Sequence, residues 1–379
     1  MDRALELELL DELLALHRDR KPFLDEAEAE SPVERYVSAE RFEAERARVF
    51  RRLPLVAAHV AELPEPDSFV RREVAGTPLI LTRDRNGVAR AFINACRHRN
   101  AQLVSEPAGC RARLVCPYHA WTYDTSGKLV GVPHERTGFP TLDRSERGLQ
   151  PVACREAFGF VWVQLEGDEV DDLDGYLGAL GPEFDALDLA NHVPFTTTEQ
   201  KRRCNWKVLV EGGIESYHFK VAHRETVGKL FEDNLSTYRA EGPHLRSVLA
   251  RNIVGELEDK PRDDWRIRDV TNVLYTFMPS FQVLVQSDHV IAIQSNPVAA
   301  DETRLRLTTL VPKDQNTEER RTYWKANHDF TIQTLDEDFD LGEGIQRALS
   351  SGANEMLRFG RFEGALARFN AEVDAQLAR

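Results

Sequence analysis

Cys96-Arg97-His98 and Cys116-Pro117-Tyr118-His119 are two short stretches, separated by residues 99–115, that each contain one cysteine and one histidine. A [2Fe-2S] cluster with mixed ligands needs two thiolates on one iron and two imidazoles on the other. The alternative is a structural zinc site, but such sites usually pair Cys with Cys and His with His. The mixed C-x-H and C-x2-H pairs therefore favour the cluster, and its predicted ligands are Cys96, His98, Cys116 and His119.

The residues around these ligands resemble the two cluster loops of Rieske non-haem iron oxygenases. The resemblance covers Asn94–Arg99 and Cys116–Tyr123. In the second loop, Pro117 fixes φ and can hold the backbone rigid. Trp121 and Tyr123 either screen the cluster from water or belong to an ordinary core, and the sequence leaves both readings open.

The chain as a whole predicts an α+β protein of three parts. Residues 1–45 are expected to form N-terminal helices that pack on the catalytic domain, with a second helix running from Ser38, its N-cap, to Val49. Short β-rich runs and turn signals such as Asn86-Gly87 predict an all-β Rieske [2Fe-2S] domain at residues 46–166. Residues 167–379 are expected to form a catalytic domain built on a helix-flanked antiparallel sheet, with residues 206–210 as one of its strands.

Composition argues against two classes of partner. Of 379 residues, 49 are basic and 63 acidic, which gives a net charge of −14, and no basic run suggests a nucleic-acid groove. No apolar stretch approaches the ~20 residues that a membrane span requires. Three of the five cysteines lie outside the cluster motif, and Cys110, Cys154 and Cys204 are expected to be buried small hydrophobic residues. This odd remainder, with no secretory leader, predicts a cytoplasmic protein.

A second constellation, E-x2-H-x4-H, lies at Glu215, His218 and His223. On an ideal helix the two histidines are about 140° apart, so they reach one metal only if the helix is distorted or ends between them. Without a metal they would be ordinary structural histidines.

Iron that activates O2 commonly uses two histidines and one carboxylate. Within the acidic run 336–340, Asp338 alone shares a helical face with Leu335, Gly342, Ile345 and Leu349. A buried carboxylate on that face favours a metal, although pairing with an arginine or a helix N-terminus is the alternative.

The second half of the chain resembles the catalytic domain of Rieske oxygenase α subunits, the aromatic-ring-hydroxylating dioxygenase family. The matching positions are Asn205-Trp206-Lys207, Glu211, Tyr217-His218, His223, and Glu337-Asp338 followed by Glu343, Gln346 and Arg347. The resemblance implies that His218, His223 and Asp338 bind a mononuclear Fe(II). It also implies that Glu215 links this iron to the Rieske histidine of a neighbouring subunit, although a plain helix-surface acid is the alternative.

Two positions depart from the family pattern. The linking acid is more often Asp than Glu, and a glutamate there also occurs in relatives that oxidise quaternary amines. Gly212-Gly213 replaces an asparagine that many relatives have after the glutamate, so polar contact near the iron is expected to be reduced.

The implied activity is that of an oxidoreductase, a Rieske mono- or dioxygenase. It would use O2 to hydroxylate or oxidatively demethylate a small organic substrate, aromatic or quaternary-amine-like. The sequence contains no flavin or nicotinamide fingerprint, so NAD(P)H would act only through a separate ferredoxin or flavin reductase. Arginines near the cluster loops either dock that donor or are simply solvated: Arg97, Arg99, Arg111 and Arg113.

The family implies a ring-shaped homotrimer. The alternative function is a Rieske electron-transfer protein without oxygenase activity of its own.

Overall fold

The structure, a computed structural model, describes residues 1–170 and 172–379. These residues form two compact units, one made of residues 50–173 and the other of residues 1–49 together with 174–379. The first elements of the chain are α1 (Arg3–Asp19), β1 (Ala29–Pro32), α2 (Glu34–Val37) and α3 (Ala39–Glu45), which continues as a π-helical turn, Arg46–Phe50. Both predicted N-terminal helices are present, and the Ser38 side chain caps α3 by accepting from the N–H of Arg41.

Most of the regular elements in the unit of residues 50–173 are antiparallel strands. They are β2 (Leu55–His59), β3 (Ser68–Val74), β4 (Thr77–Arg83), β5 (Ala89–Ile93), β6 (Ala108–Cys110), β7 (Leu114–Val115), β8 (Thr122–Tyr123), β9 (Leu129–Gly131), β10 (Pro151–Ala157) and β11 (Phe160–Gln164), with a short helix α4 (Glu135–Gly138) after β9. The larger sheet has the order β2-β11-β10-β5-β4-β3-β6, and β7-β8-β9 form a second, small sheet. The predicted turn at Asn86-Gly87 is present, with Gly87 at φ +78°.

The other unit contains the larger helices and a second seven-stranded sheet. Its elements after the first unit's strands are α5 (Leu173–Leu177), α6 (Leu180–Asp185), β12 (His192–Arg202), α7 (Trp206–Gly213), α8 (Phe219–Ala222), β13 (Phe231–Glu241), β14 (His244–Arg251), α9 (Ile267–Val270), β15 (Thr271–Phe277), β16 (Phe281–Val285), β17 (Val290–Ala299), β18 (Glu302–Pro312), α10 (Arg321–Leu349), β19 (Met356–Phe359) and α11 (Gly364–Ala378). The sheet order is β12-β18-β17-β16-β15-β14-β13, all antiparallel, and β1 pairs with β19.

Helices cover both faces of this second sheet. On one face Ile291, Ile293 and Leu307 form a core with Leu209 of α7 and Phe339 of α10. On the opposite face the ring of Phe184, from α6, lies 4.7 Å from that of Phe277. Because side chains alternate along a strand, the sheet contributes to two separate apolar layers. The architecture is the α+β arrangement that the sequence predicts.

Residues 206–210 form the first turns of helix α7, so the predicted strand is wrong. The Asn205 side chain accepts from the N–H of Lys207 at 3.0 Å and caps the helix. Burial at residues 206–211 is nearly continuous, with Val208 alone half-buried, so it does not show the alternation of a half-buried strand. The β-branched valines pointed to a strand, but the cap and the tertiary packing decide the conformation.

The expectation of three buried cysteines is also wrong in part. Cys204 is buried and Cys154 is half-buried, but Cys110 is exposed. Cys110 lies on β6, the edge strand of its sheet, where no further strand covers it. In the described parts of the chain, no helix combines the length and the apolar character needed to span a bilayer.

Candidate functional site

The two cluster loops have the same backbone geometry. In each loop the N–H of the cysteine donates to the carbonyl five residues later, at 2.9 Å for Cys96 and 2.8 Å for Cys116. The cysteine carbonyl accepts from the N–H four residues later, at 2.9 Å in both loops. That fourth residue is left-handed in both cases, with φ +55° at Asn100 and at Ala120. Two matched loops therefore present one cysteine and one histidine each.

The side chains of these loops fit a two-iron cluster better than a single ion. Cys96 and Cys116 are buried, and the rings of His98 and His119 are 4.7 Å apart. In the described chain, Nδ1 of His119 is buried and has no hydrogen-bond partner, as expected of a nitrogen reserved for a metal. No three of these four residues bring their ligand atoms within 4.8 Å of one another in that part of the chain, which disfavours a tetrahedral zinc site.

Neighbouring residues hold the loops in place. Trp121 is buried and stacks on His98 at 4.9 Å between ring centroids. The hydroxyl of Tyr123 accepts from the N–H of Arg97 at 3.0 Å and lies 3.5 Å from Sγ of Cys96. Asn94, to which the sequence assigned no role of its own, accepts from two backbone N–H groups of the first loop at 3.0 Å each. The aromatic residues are thus both part of the core and in contact with the proposed ligands.

The histidines of the second constellation lie at the two ends of one helical turn. Helix α8 is four residues long, His218 is its N-cap and His223 its C-cap. The helix therefore ends between them, which is the condition under which both imidazoles reach one metal. Asp338 is contributed by the 29-residue helix α10.

Three donor atoms converge at this point. Nε2 of His218 and Nε2 of His223 are 3.2 Å apart, and Oδ1 of Asp338 is 3.4 Å from the first and 2.9 Å from the second. Ligands in three mutually adjacent octahedral positions, with bonds of about 2.1 Å, are separated by about 3.0 Å. The arrangement therefore fits a facial triad, which leaves the opposite positions of the metal open.

The charges at the triad favour a cation. Burial lowers the pKa of His218, but hydrogen bonds that its ring donates to Asp338 and Glu215, together with the charges of these carboxylates, outweigh burial and raise it to about 10. The same balance raises the pKa of His223. Burial raises the pKa of Asp338, whereas its hydrogen bonds to both histidines lower it further, so that the net shift is downward. The carboxylates thus favour positive charge on the imidazoles, and a divalent metal bound by both Nε2 atoms would supply that charge instead.

Each imidazole is also held by a second carboxylate. Nδ1 of His218 contacts Glu215, which in turn accepts from the N–H of Tyr217. Nδ1 of His223 lies 2.8 Å from Oε2 of Glu337, an oxygen that also accepts from the hydroxyl of Thr226 at 2.5 Å. A carboxylate on Nδ1 fixes the tautomer whose Nε2 lone pair faces a metal.

Sequence reasoning singled out Glu215 but missed the role of Glu337. Glu337 is adjacent to Asp338 and so projects from a different face of α10, about 100° away. Its partner Thr226 belongs to a loop more than a hundred residues earlier in the chain. The adjacent acid pair in the resembling segment was the one available signal.

The other acidic residues of α10 are engaged elsewhere. Arg202 contacts Asp336 and donates to Asp340 at 2.7 Å. Glu343 accepts from the N–H of Arg203 at 3.1 Å. The helical-face argument thus chose the carboxylate that reaches the histidines, but Ile345, placed on the same apolar face, is 47% exposed.

A cavity adjoins the triad on the side of the sheet. His223 and Asp338 line it together with the apolar residues Phe219, Val227 and Phe231. Leu230 is exposed and lies outside this lining, and the side chains of Phe277, Phe281 and Val285 are on the other face of the sheet. A second opening, a groove, is lined by Glu215, His218, Leu341 and Ile345.

The arginines near the cluster loops are not equivalent. Arg111 pairs with Glu106 at 2.9 Å, and Arg97 is half-buried. Arg99 and Arg113 are exposed, with Arg99 lying over the Tyr118 ring. Of these four arginines, Arg99 and Arg113 are the two that are exposed and make no ion pair with a described carboxylate.

Comparison with known proteins agrees with this geometry. The profile of the Rieske [2Fe-2S] domain matches residues 54–151, and that of the ring hydroxylating alpha subunit (catalytic domain) matches residues 188–379. The glycine betaine monooxygenase oxygenase subunit of Pseudomonas aeruginosa is 26% identical over 360 residues, covering 84% of this chain and 82% of that protein. The carnitine monooxygenase oxygenase subunit of Acinetobacter baumannii is 26% identical over 325 residues, covering 83% and 84%.

Solved structures share the fold. A quaternary ammonium Rieske monooxygenase in complex with L-carnitine superposes with a TM-score of 0.78 at 22% identity, covering 95% of this chain and 97% of that one. Naphthalene 1,2-dioxygenase from Rhodococcus sp. bound to indole gives 0.77 at 20% identity, covering 98% of both. The chain therefore belongs to the ring-hydroxylating α subunits of the Rieske oxygenases, oxidoreductases that use a [2Fe-2S] cluster, a mononuclear iron, O2 and electrons from a separate donor.

Proposed function

We propose that this chain is an oxygenase whose mononuclear Fe(II) is held by His218, His223 and Asp338. Its [2Fe-2S] cluster is held by Cys96, His98, Cys116 and His119. The observation that carries the proposal is the convergence of two Nε2 atoms and one carboxylate oxygen within 3.4 Å, with a further carboxylate on each imidazole. When bound, the cluster supplies single electrons and the iron supplies O2 activation.

The chain's own residues prepare the site for that chemistry. Glu215 and Glu337 hold the Nδ1 protons of the histidines, so that both Nε2 lone pairs face the centre. His223 and Asp338 face the cavity, and the apolar wall of the cavity keeps water away from that side of the triad. The substrate in this proposal is a small organic molecule, aromatic or quaternary-amine-like, that is hydroxylated or demethylated beside the triad.

Glu215 is proposed to connect the triad to the cluster of a neighbouring subunit. It lines the groove together with His218, and the exposed apolar side chains of Leu341 and Ile345 line the same groove. Apolar residues around a polar site are typical of a surface covered by another protein. A homotrimer in which each cluster serves the next subunit's iron would cover it, and inter-subunit electron transfer is named for a quaternary ammonium Rieske monooxygenase of the same fold.

A separate ferredoxin or flavin reductase, itself reduced by NAD(P)H, is the proposed electron donor. Arg99 and Arg113 are the cluster-side cations that we assign to docking an acidic donor. Reversing both charges should slow cluster reduction at low salt and have little effect at high salt. Unchanged reduction at low salt would remove this assignment. The three cysteines outside the proposed cluster, Cys110, Cys154 and Cys204, form no disulfide with one another, which supports a reducing, cytoplasmic location.

Iron content tests the proposal. The purified holoenzyme should contain about three irons per chain, two in the cluster and one at the triad. Asp338→Ala should lose one iron and all O2-dependent turnover with a surrogate reductase, while the visible absorbance of the cluster is kept. Two irons per chain in the parent enzyme would instead support an electron-transfer protein, and zinc without visible absorbance would contradict both functions.

A further inference from the structure

The cavity beside the triad has a wall with very little charge. Its interior volume of about 90 Å³ suits a small molecule. The ionisable side chains that line it are His223 and Asp338, the proposed iron ligands, and no Lys, Arg or Glu joins them within the described residues. Most of the remaining surface is apolar and comes from phenylalanine, leucine, isoleucine and valine side chains.

Four uncharged polar side chains interrupt this apolar wall: Thr334 of α10, and three that lie on one face of the sheet. Asn272 lies on β15, Gln282 on β16 and Ser295 on β17. Gln282 is opposite Thr276, four residues along β15 from Asn272, so the two amides are separated by about 13 Å along the sheet. Ser295 follows two residues after Ile293, the partner of Gln282 on β17. The cavity thus has polar groups at both ends and an apolar middle.

The hydrogen bonds behind the wall fix which atom each amide offers. Oδ1 of Asn272 accepts twice from the guanidinium of Arg251, at 2.8 and 3.2 Å, and since Arg only donates, Nδ2 is left as a donor. Nε2 of Gln282 donates to the carbonyl of Val210 at 3.1 Å, which leaves Oε1 as an acceptor. The Ser295 hydroxyl makes no side-chain hydrogen bond to any described residue.

We propose that this cavity binds an uncharged, largely apolar substrate that is anchored by hydrogen bonds at one polar end, to Gln282 and Ser295, and that it rejects zwitterionic quaternary amines. A carboxylate in the cavity would lack a counter-charge in the wall, because no Lys or Arg is among the described lining residues and Arg251, behind Asn272, is already bonded to Asn272 and Ser287. A quaternary ammonium group would find no free carboxylate, because the one carboxylate among the described lining residues, Asp338, is a proposed iron ligand. The inference rests on the proposed function and narrows its substrate class, and it separates this chain from the glycine betaine and carnitine enzymes that it resembles.

Four probes of one shape and different charge test this directly in the iron-loaded holoenzyme. They are glycine betaine, its cationic amide, the anionic 3,3-dimethylbutanoate and the uncharged 3,3-dimethylbutanamide, together with acetanilide as a larger uncharged amide. Binding is measured by calorimetry. We expect an uncharged amide to bind at least tenfold more tightly than any charged probe. Glycine betaine binding as tightly as the uncharged amide, or no binding of either uncharged amide, would overturn the proposal.

Ser295→Ala tests the polar anchor, because it removes a hydroxyl that supports no other side chain. It should weaken binding of the uncharged amide about tenfold and leave binding of a hydrocarbon of similar shape, such as ethylbenzene, unchanged. Ser68→Ala, a buried serine of the other unit, is the matched control and should change neither. An equal loss for both probes, or no loss for the amide, would contradict the anchor.

O2 uptake, measured on the same holoenzyme and probes after a surrogate reductase and NADH are added, separates this inference from the proposed function. Tight binding of an uncharged amide without O2 consumption by an enzyme holding three irons per chain would support the cavity chemistry and contradict the oxygenase assignment. Turnover of glycine betaine would support the oxygenase and overturn the cavity chemistry.

Discussion

Glu337 and Glu215 each contact Nδ1 of one proposed iron-ligand histidine, but the two histidines have different surroundings. Glu215 lines the groove, whereas Glu337 ties His223 to the loop that follows α8 through Thr226. Loss of such a partner typically costs 10–100-fold in metal affinity. We therefore expect Glu337→Ala to bind mononuclear iron 10–100-fold more weakly with unchanged cluster absorbance, and Glu337→Gln to recover part of the loss.

The measurement is an iron titration of cluster-loaded protein, with total iron and visible absorbance recorded together. Asp340→Ala is the control, since Asp340 is an exposed neighbour on the same helix and pairs only with Arg202. Wild-type iron affinity in Glu337→Ala would show that Glu337 does not position His223.

Glu211 is a buried acid outside the triad, and its protonation should make stability depend on pH. Burial raises its pKa from 4.5 to about 7, although Asn370 and Tyr36 donate to it at 2.7 and 2.9 Å. The folded state therefore binds the proton more tightly than the unfolded state, so the stabilisation is complete below pH 4.5 and is lost as the pH rises through 7. Because of this residue, raising the pH from 5.5 to 8 should lower the free energy of unfolding by about 2 kcal/mol.

Glu211→Gln should remove that pH dependence, because glutamine resembles the protonated acid at every pH. Urea unfolding at pH 5.5 and pH 8 gives the change in unfolding free energy with pH for the parent and for the variant. The contributions of all other groups cancel when one change is subtracted from the other. Parallel pH profiles of the two proteins would refute the assignment.

The sequence was informative about residues where one chemical rule applied to a short stretch. The helical face of α10 selected Asp338, and the spacing of the histidines required the short helix that α8 turns out to be. Glu337 was missed because its partners, His223 and Thr226, are distant in the chain and are brought to it by tertiary packing. Hydrogen bonds of that kind leave no periodic signal in a sequence.

At the scale of elements, a buried ion pair joins α3 to α7. Nζ of Lys207 lies 2.7 and 2.8 Å from the carboxylate of Glu45, and both side chains are fully buried. Glu45 also accepts from Trp206 at 2.9 Å and from Arg41 at 3.0 Å. The carboxylate thus has other partners, whereas the ammonium depends on Glu45.

We expect this difference to appear in the stability of single variants. Glu45→Met leaves a buried ammonium without a counter-charge and should cost about 3–5 kcal/mol. Lys207→Met should cost less, because Arg41 and Trp206 still bond to Glu45, and the double variant should recover most of the loss. Chemical unfolding measures all three.

Lys325→Ala provides the comparison with an exposed pair. Lys325 and Asp329 are on the surface of α10, and exposed pairs contribute at most about 1 kcal/mol. A loss in Glu45→Met no larger than in Lys325→Ala would show that the buried pair does not hold the two helices together.

Helix α7 shows that a β-rich stretch of sequence does not always form a strand. The runs at 273–277, 282–285 and 304–308 lie within β15, β16 and β18, where β-propensity and tertiary pairing agree. At residues 206–210 they disagree, since the valines favour a strand but the Asn205 cap and the burial of Lys207 against Glu45 require a helix. Cys110 is exposed because the strand order places β6 at the edge of its sheet, and the local sequence does not encode that order.

At the scale of the whole molecule, the proposed route of electrons makes a prediction about Glu215. Glu215→Gln keeps the size of the side chain and a hydrogen-bond acceptor for His218 but removes the negative charge. It should therefore retain three irons per chain and a reducible cluster, yet cluster oxidation should no longer be matched by product. Rapid-mixing absorbance and product assays in one experiment test this, and unchanged turnover would refute the linking role.

The same route predicts complementation between two inactive variants. Cys116→Ser should lack the cluster but keep the triad, whereas Asp338→Ala should keep the cluster but lack the mononuclear iron. If each cluster serves the iron of the next subunit in a closed ring, a site is active wherever an Asp338→Ala chain precedes a Cys116→Ser chain. Every mixed trimer, of either composition, contains one such junction among its three. Co-expressed and doubly tagged trimers should therefore regain about a third of the parental turnover per chain, and each variant alone should have none. Verified mixed oligomers without activity would instead mean that electrons pass within a single chain.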